Sequence, residues 1–277
     1  MSVKLIALDL DGTTLRSDKS LSPRTEKALA EAIARDINVV IATGRCFGAL
    51  PKVLTEFPGI QYAITSNGAQ LVDMRHKKIL SAHCHTPENV ERIADILRQL
   101  DFRRNMPEVF IDGEAYLERE LYEATKRGEI GYRTREYVLQ TRTPIDNYIR
   151  FMLDHKNAVE NVNVFFPSAG EQAEVMEKCR SLTGVTLTTS WDWNLEIGPA
   201  NTTKAHTLLE LADIVGVTKE EMMACGDSEN DIPMMKLAAY PVAMGNAKDA
   251  VKKEAVFVSE TNENDGVAVA IEKYALA

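Results

Sequence analysis

The sequence predicts an α/β fold: a doubly wound, mostly parallel sheet built from both ends of the chain, with an α+β insert between them. Three observations carry this. Short apolar runs alternate with amphipathic helical stretches at the start of the chain, the same rhythm returns near the C-terminus, and hairpin signals replace it in between. Length agrees, since 277 residues exceed one ordinary core and favour two domains. The chain is 45% hydrophobic and 26% charged, a globular composition that excludes disorder and collagen-like repeats.

Residues 3–8 form a near-continuous apolar run, as expected of a strand buried on both faces. Ser22 and Pro23 then give an N-cap followed by proline in the first turn, and Ala28, Leu29, Ala32 and Ile33 put one apolar stripe on the helix that follows. Asn38–Ala42 and Tyr62–Thr65 read as the next strands, the second closed by the turn-forming pair Asn67 and Gly68. Near the other end, Asn201 caps a helix whose Ala205, Leu208, Leu209 and Ala212 share one face. Strands at 221–225, 242–244 and 255–258 and a helix at 232–238 complete the same sheet.

The middle differs in texture. Val90, Ile93, Ala94, Leu97 and Leu100 mark a helix after Thr86 and Pro87, and residues 109–111 and 115–117 flank Asp112 and Gly113 as a hairpin. Val175, Met176, Cys179 and Leu182 mark another helix, followed by a strand at 185–189 and a turn at Trp191, Asp192 and Trp193. The two tryptophans are expected to pack into the insert or its hinge. The core therefore takes residues 1–82 and 191–277, and the insert 83–190. Residues 119–145, rich in charge, show no clear period.

A formal charge of −9, from 32 basic and 41 acidic residues, argues against a dedicated nucleic-acid binder. A phosphate-bearing ligand would need concentrated local cation, from metal, lysine or helix N-termini. The four cysteines lack any C-x-x-C spacing and read as reduced thiols. The first apolar run is too short for an export signal or a membrane span, so a cytoplasmic protein without membrane or nucleic-acid partners is expected.

The chemistry sits at strand ends. Asp9, Leu10, Asp11, Gly12 and Thr13 stand where the first strand stops, and the carboxyl end of a parallel strand is where open α/β sheets bind ligands. Residues i and i+2 of extended chain point the same way, so two carboxylates can converge. Two like charges so close disfavour joint ionisation unless a cation lies between them or one holds a proton, and hard oxygen ligands suit Mg²⁺. A solvated Asp-Gly turn is the plain alternative. Against it stands a second acidic loop, Gly226, Asp227, Ser228, Glu229, Asn230 and Asp231, after another strand of the same sheet. Thr43, Gly44 and Arg45 end the second strand with a hydroxyl and backbone N–H groups suited to a phosphate oxygen. Lys204 lies at a helix start, where the dipole disfavours a cation and a nearby anion would explain it. His83, Cys84 and His85 read as an exposed hinge segment rather than a metal site, and Lys252 and Lys253 as a solvated helix face.

Together these segments resemble the haloacid dehalogenase superfamily, and within it the Cof-type phosphatases with a large C2-type cap inserted after the third core strand. The motifs run in order from Asp9 to Leu15, from Ala42 to Arg45, through Lys204, and from Gly226 to Asp231, with Thr65 to Ala69 and Asn264 to Ala268 fitting the Cof pattern. Ala205 departs from it, since members often carry glycine after the motif lysine. The resemblance implies a phosphatase of small phosphorylated metabolites, most of all sugar phosphates. It implies that Asp9 attacks phosphorus and becomes an aspartyl phosphate, while Asp11 protonates the leaving oxygen and then activates water. It assigns Mg²⁺ to Asp9, the backbone carbonyl of Asp11 and Asp227, with Asp231 standing behind these ligands. It assigns phosphate contacts to Leu10 through its backbone, Thr43, Gly44, Lys204 and Asn230. A phosphotransferase or mutase on the same scaffold is the nearest alternative. A non-catalytic sensor is the remote one, because both Asp9 and Asp11 are present.

Overall fold

The computed structural model describes residues 2–277. Its first five strands are β1 (Leu5–Leu8), β2 (Asn38–Ala42), β3 (Tyr62–Thr65), β4 (Gln70–Asp73) and β5 (Lys78–Ala82). Six follow in the middle of the chain: β6 (Met106–Ile111), β7 (Glu114–Glu118), β8 (Arg142–Ile145), β9 (Val159–Phe165), β10 (Val185–Thr188) and β11 (Asn194–Pro199). The last three are β12 (Met222–Gly226), β13 (Tyr240–Ala243) and β14 (Phe257–Val258). They build an eight-stranded sheet in the order β14-β13-β12-β1-β2-β3-β4-β5 and a six-stranded sheet in the order β10-β11-β9-β6-β7-β8. The chain divides into two compact units, one of residues up to 44, 50–81 and 203–277, the other of residues 45–49 and 82–202. Among the described residues no helix is long and apolar enough to cross a membrane.

In the first unit β1 lies between β12 and β2 and runs parallel to both, so its four residues are buried on each face. The register pairs Leu8 with Cys225 on one side and with Ile41 on the other. Three strands therefore end in step, and Asp9, Thr43 and Asp227 leave the sheet at one edge. The helix Pro23–Ala34 starts as expected, with the Ser22 hydroxyl accepting from the Thr25 amide at 3.0 Å. The hairpin partner β4, antiparallel to β3, was not anticipated, and it makes the sheet mixed at that end.

In the second unit Val90, Ile93 and Leu97 of the helix Pro87–Leu97 pack with Val109, Val162, Val164, Leu195 and Ile197 from the sheet. The opposite sheet face is polar. Glu196 pairs with Asn163, and Asn163 with Glu108, in one row across β11, β9 and β6.

Several expectations are corrected. Asn194–Pro199, assigned to the core by a boundary at 191, is a strand paired with β9 and β10 of the second unit, and that unit continues to Thr202. Its Leu195 and Ile197 alternate with Asn194 and Glu196, and the hairpin with β10 needs the Trp191 to Trp193 segment as its turn. Residues 45–49 also group with the second unit. Asn201 is not the helix cap, since its φ is 56°; Thr203 caps Lys204–Val215 and accepts from the His206 amide at 3.2 Å. Trp191 and Trp193 are not core residues, being 47% and 49% exposed. His85 is not an exposed hinge residue: it is buried, with Nε2 at 3.0 Å from the Ile197 carbonyl. The unread stretch 119–145 contains the helices Arg119–Arg127 and Arg135–Thr141 and the strand β8.

Candidate active site

The site is built where β1, β2 and β12 end. Asp9 follows β1 directly, its amide donating to the Cys225 carbonyl at 3.1 Å and its carbonyl accepting from the Thr14 hydroxyl at 2.5 Å. The chain then turns tightly, with the amides of Thr13, Thr14 and Leu15 all converging on the Leu10 carbonyl. Gly12 makes this possible. Its φ of 85° lies in the left-handed region, and a Cβ there would fall 2.6 Å from Asp227 Oδ2.

Lys204, the first residue of its helix, is almost fully buried, and its Nζ lies 2.6 Å from both Asp9 Oδ1 and Asp231 Oδ1. Asp231 is wholly buried, and its other oxygen accepts from the amides of Asp227 and Ser228, each at 3.0 Å. Asp227 accepts from the Thr13 hydroxyl at 2.9 Å through Oδ1 and from the Ser228 hydroxyl at 3.1 Å through Oδ2. Gly226 lets this loop close, because a Cβ at that position would meet Asp231 Cβ at 2.4 Å.

The electrostatics follow from burial. Removal from water pushes the Asp9 carboxyl well above its usual range, Asp231 and Asp227 add repulsion, and Lys204 opposes them. Burial, then the Asp231 charge, pushes Asp227 up to about 6. Burial works against the Lys204 ammonium too, but Asp231 and Asp9 together outweigh it and hold its pKa above the ordinary value.

The structure gathers Asp9, Asp227 and Asp231, with one carboxylate oxygen from each within 4.8 Å of the others. Asp231 spends both oxygens on Lys204 and backbone amides, so it orients its neighbours. The Asp11 carboxylate is not part of this trio; Lys19 Nζ lies 2.8 Å from its Oδ1. The donors present fit a hard divalent cation: carboxylate oxygens of Asp9 and Asp227 converge, burial and then the Asp231 charge raise their pKa values, and a single ammonium stands beside three acids.

Thr43 is buried, donating its amide to the Ile64 carbonyl and accepting the Asn67 amide at 3.0 Å. Asn230 Nδ2 donates to Asn67 Oδ1 at 3.0 Å, and Gly44 approaches the same oxygen so closely that a Cβ would sit 3.2 Å away. Asn67 thus ties the Thr43 loop to the Asn230 loop, a role that sequence reasoning did not assign. The signal was present: Ser66 and Asn67 both take positive φ, 50° and 56°, a conformation that asparagine accepts and that the Asn67-Gly68 pair announced only as a turn.

A doubly wound core with two acidic loops at adjacent strand ends, and a buried lysine spanning two of their carboxylates, defines a phosphoryl-handling hydrolase. The model of the haloacid dehalogenase-like hydrolases matches residues 6–271, and the chain belongs to that family. It is a phosphatase of this family. It is 29% identical to a 5-amino-6-(5-phospho-D-ribitylamino)uracil phosphatase of Bacillus subtilis (strain 168), over 100% of this chain and 97% of that protein. It is 28% identical to the pyridoxal phosphate phosphatase of Escherichia coli (strain K12), over 97% of each chain. Among solved structures, a haloacid dehalogenase-like hydrolase from B. subtilis superimposes with a TM-score of 0.83 at 27% identity, covering 98% of this chain and 99% of that one.

Proposed function

We propose that the protein is a cytoplasmic, Mg²⁺-dependent phosphatase that hydrolyses phosphomonoesters of small metabolites, sugar or sugar-alcohol phosphates above all. The observation that carries this is Lys204, buried between Asp9 and Asp231 at 2.6 Å from each beside the Asp227 loop. Two relatives are named for phosphomonoesters, one of a ribityl side chain and one of a pyridine alcohol.

Asp9 is the nucleophile in this reading. Its backbone is fixed by Cys225 and Thr14, and Lys204 holds Oδ1, so the carboxylate is aimed before substrate arrives. The oxygen of Asp9 bonds to phosphorus as the ester oxygen leaves, and Asp11 gives that oxygen its proton. Asp11 then takes a proton from the water that breaks the aspartyl phosphate. Lys19, 2.8 Å from Asp11, restrains that side chain in the resting protein. Thr43, the Gly44 amide, the Leu10 amide, Lys204 and Asn230 bind the remaining phosphate oxygens. Mg²⁺, held by Asp9, Asp227 and the Asp11 carbonyl, would supply positive charge for the phosphoryl oxygens. Asp231 keeps Lys204 and the Asp227 loop in place. In this reading the inserted unit, residues 82–202, chooses the leaving group.

The test is phosphate release from a broad panel of phosphometabolites by the purified protein with Mg²⁺, with chelator, and as the Asp9→Asn variant. Metal-dependent release that the variant loses is expected. No release from any phosphomonoester, or full activity in Asp9→Asn, overturns the proposal.

A further inference from the structure

We propose that Asn67 is a positioning residue of the phosphoryl pocket. Its side chain holds Asn230, its backbone holds Thr43, and its neighbour Gly68 seats the start of the Lys204 helix, so that groups meant for one phosphate are set before it arrives. The proposal deepens the phosphatase reading and rests on it for the roles of Thr43, Gly44, Lys204 and Asn230. All of these residues belong to the first unit.

Sheet order sets the problem that Asn67 solves. The strands run β12-β1-β2-β3, so the loops after β12 and β3 are separated by the ends of β1 and β2, from which Asp9 and Thr43 emerge. Neighbouring strands lie about 4.8 Å apart, so the two loops meet only by leaning over those strand ends. They do meet: Asn230 Nδ2 donates to Asn67 Oδ1 at 3.0 Å, between residues 163 positions apart. The backbone amide of Asn67 donates to the Thr43 carbonyl at 3.0 Å. Its side chain also lies against Gly44, where a Cβ would sit 3.2 Å from Oδ1 and 3.4 Å from Nδ2.

The next residue reaches the third element. The Gly68 carbonyl accepts from the Thr207 hydroxyl at 2.6 Å, and a Cβ on Gly68 would fall 2.3 Å from the Thr203 carbonyl oxygen. Thr203 caps the helix that Lys204 begins. The helix start therefore packs directly on the turn, which fixes the backbone from which Lys204 reaches Asp9.

Backbone conformation supports the same assignment. Ser66, Asn67 and Gly68 have φ of 50°, 56° and 104° in succession, and only the last is a glycine. Left-handed conformations of other residues persist where the surroundings over-determine them, and they cluster where geometry serves function. Glycine at position 67 would satisfy a turn. Asparagine tolerates the same φ and adds an amide, which is 4% exposed and engaged by a distant loop, so the side chain has a task beyond turning the chain.

Glycine accepts positive φ and keeps the amide that donates to Thr43, so Asn67→Gly removes the side chain alone. With Mg²⁺ and p-nitrophenyl phosphate, kcat should fall about thirtyfold while KM moves less than about threefold, because misplaced donors cost more in the transition state than in the ground state. The inhibition constant of orthovanadate, which takes the five-coordinate shape of the transferring group, should rise by the factor that kcat/KM falls. Partial unfolding would lower kcat but leave that constant in place. On the Asn230→Ala background Asn67→Gly should cost no more than about fivefold, because the side chain acts largely through Asn230. An equal cost on both backgrounds, an unchanged vanadate constant, or loss of the folded near-ultraviolet dichroism in Asn67→Gly overturns the proposal. Calorimetric titration with orthovanadate separates it from the phosphatase reading. Wild-type protein that hydrolyses nothing, yet binds orthovanadate about tenfold or more tighter than Asn67→Gly does, removes the phosphatase reading and keeps the role of Asn67. Hydrolysis that Asn67→Gly leaves undiminished removes that role alone.

Discussion

Replacing Lys204 by methionine takes one positive charge from between two buried carboxylates. Lys204 and Asp231 side chains are both 0% exposed and Asp9 is 10% exposed, with both contacts at 2.6 Å, so water screens little of the loss. Methionine keeps nearly the same volume, which separates charge from packing. Removing one partner of a buried pair costs about 3–5 kcal/mol because the other charge stays buried and unpaired. Two carboxylates remain here, but Asp231 keeps its two amide donors and Asp9 can take a proton, so the lower end, about 3 kcal/mol, is expected in metal-free protein at neutral pH. The sign with pH follows. Asp9 already has a raised pKa and would rise further without Lys204, so acid neutralises the strained carboxylate and the variant should recover relative to wild type on going from neutral to mildly acidic pH. Equilibrium urea unfolding by far-ultraviolet circular dichroism, at both pH values and with chelator, measures this. A loss under about 1 kcal/mol, the size of a surface pair, would refute the reasoning.

Gly226→Ala should cost about 1–3 kcal/mol and most of the activity, because its Cβ would meet Asp231 2.4 Å away and Asp231 is held through both oxygens; denaturation and phosphate release check it together. Burial pushes His85 down to about 4, so the unfolded chain binds the proton first as pH falls. The folded state then loses up to about 3 kcal/mol between pH 6.5 and 4, with no penalty above that window, and His85→Gln should flatten this part of the stability-pH curve in urea unfolding. Titration of the metal-free protein with Mg²⁺ should release protons near pH 6, because Asp227, at about 6, must ionise to bind; calorimetry in buffers of different ionisation heat reads the number, and zero would remove Asp227 as a ligand.

Much of this was legible because it depends on local rules. Asp9 and Asp11 follow an apolar run, Asp227 follows another, and parallel strands emerging in step bring such residues together whatever their separation in sequence. The lysine at a helix start announced an anion, and Asp9 and Asp231 are both there. Other features depend on tertiary partners. Asn67 looked like a turn residue, and the approach of Asn230, distant in sequence, gives its amide oxygen a task. Residues 194–199 carry strand alternation, but two tryptophans beside them suggested a hinge, and pairing with β9 decided otherwise. The helices of 119–141 bury few apolar side chains, Leu121, Ala124 and Val138 among them, and their charge hides the period. Arg142 shows why, since its charge lies inside, against Glu108.

The central claim is that Asp9 carries the phosphoryl group. Acid quenching during turnover of a phosphomonoester with Mg²⁺, followed by peptide mass spectrometry, reads it directly. The account predicts a phosphoryl group on Asp9 that forms and decays with turnover and is absent from Asp9→Asn. Turnover with label on another residue, or undiminished turnover in Asp9→Asn, would contradict it.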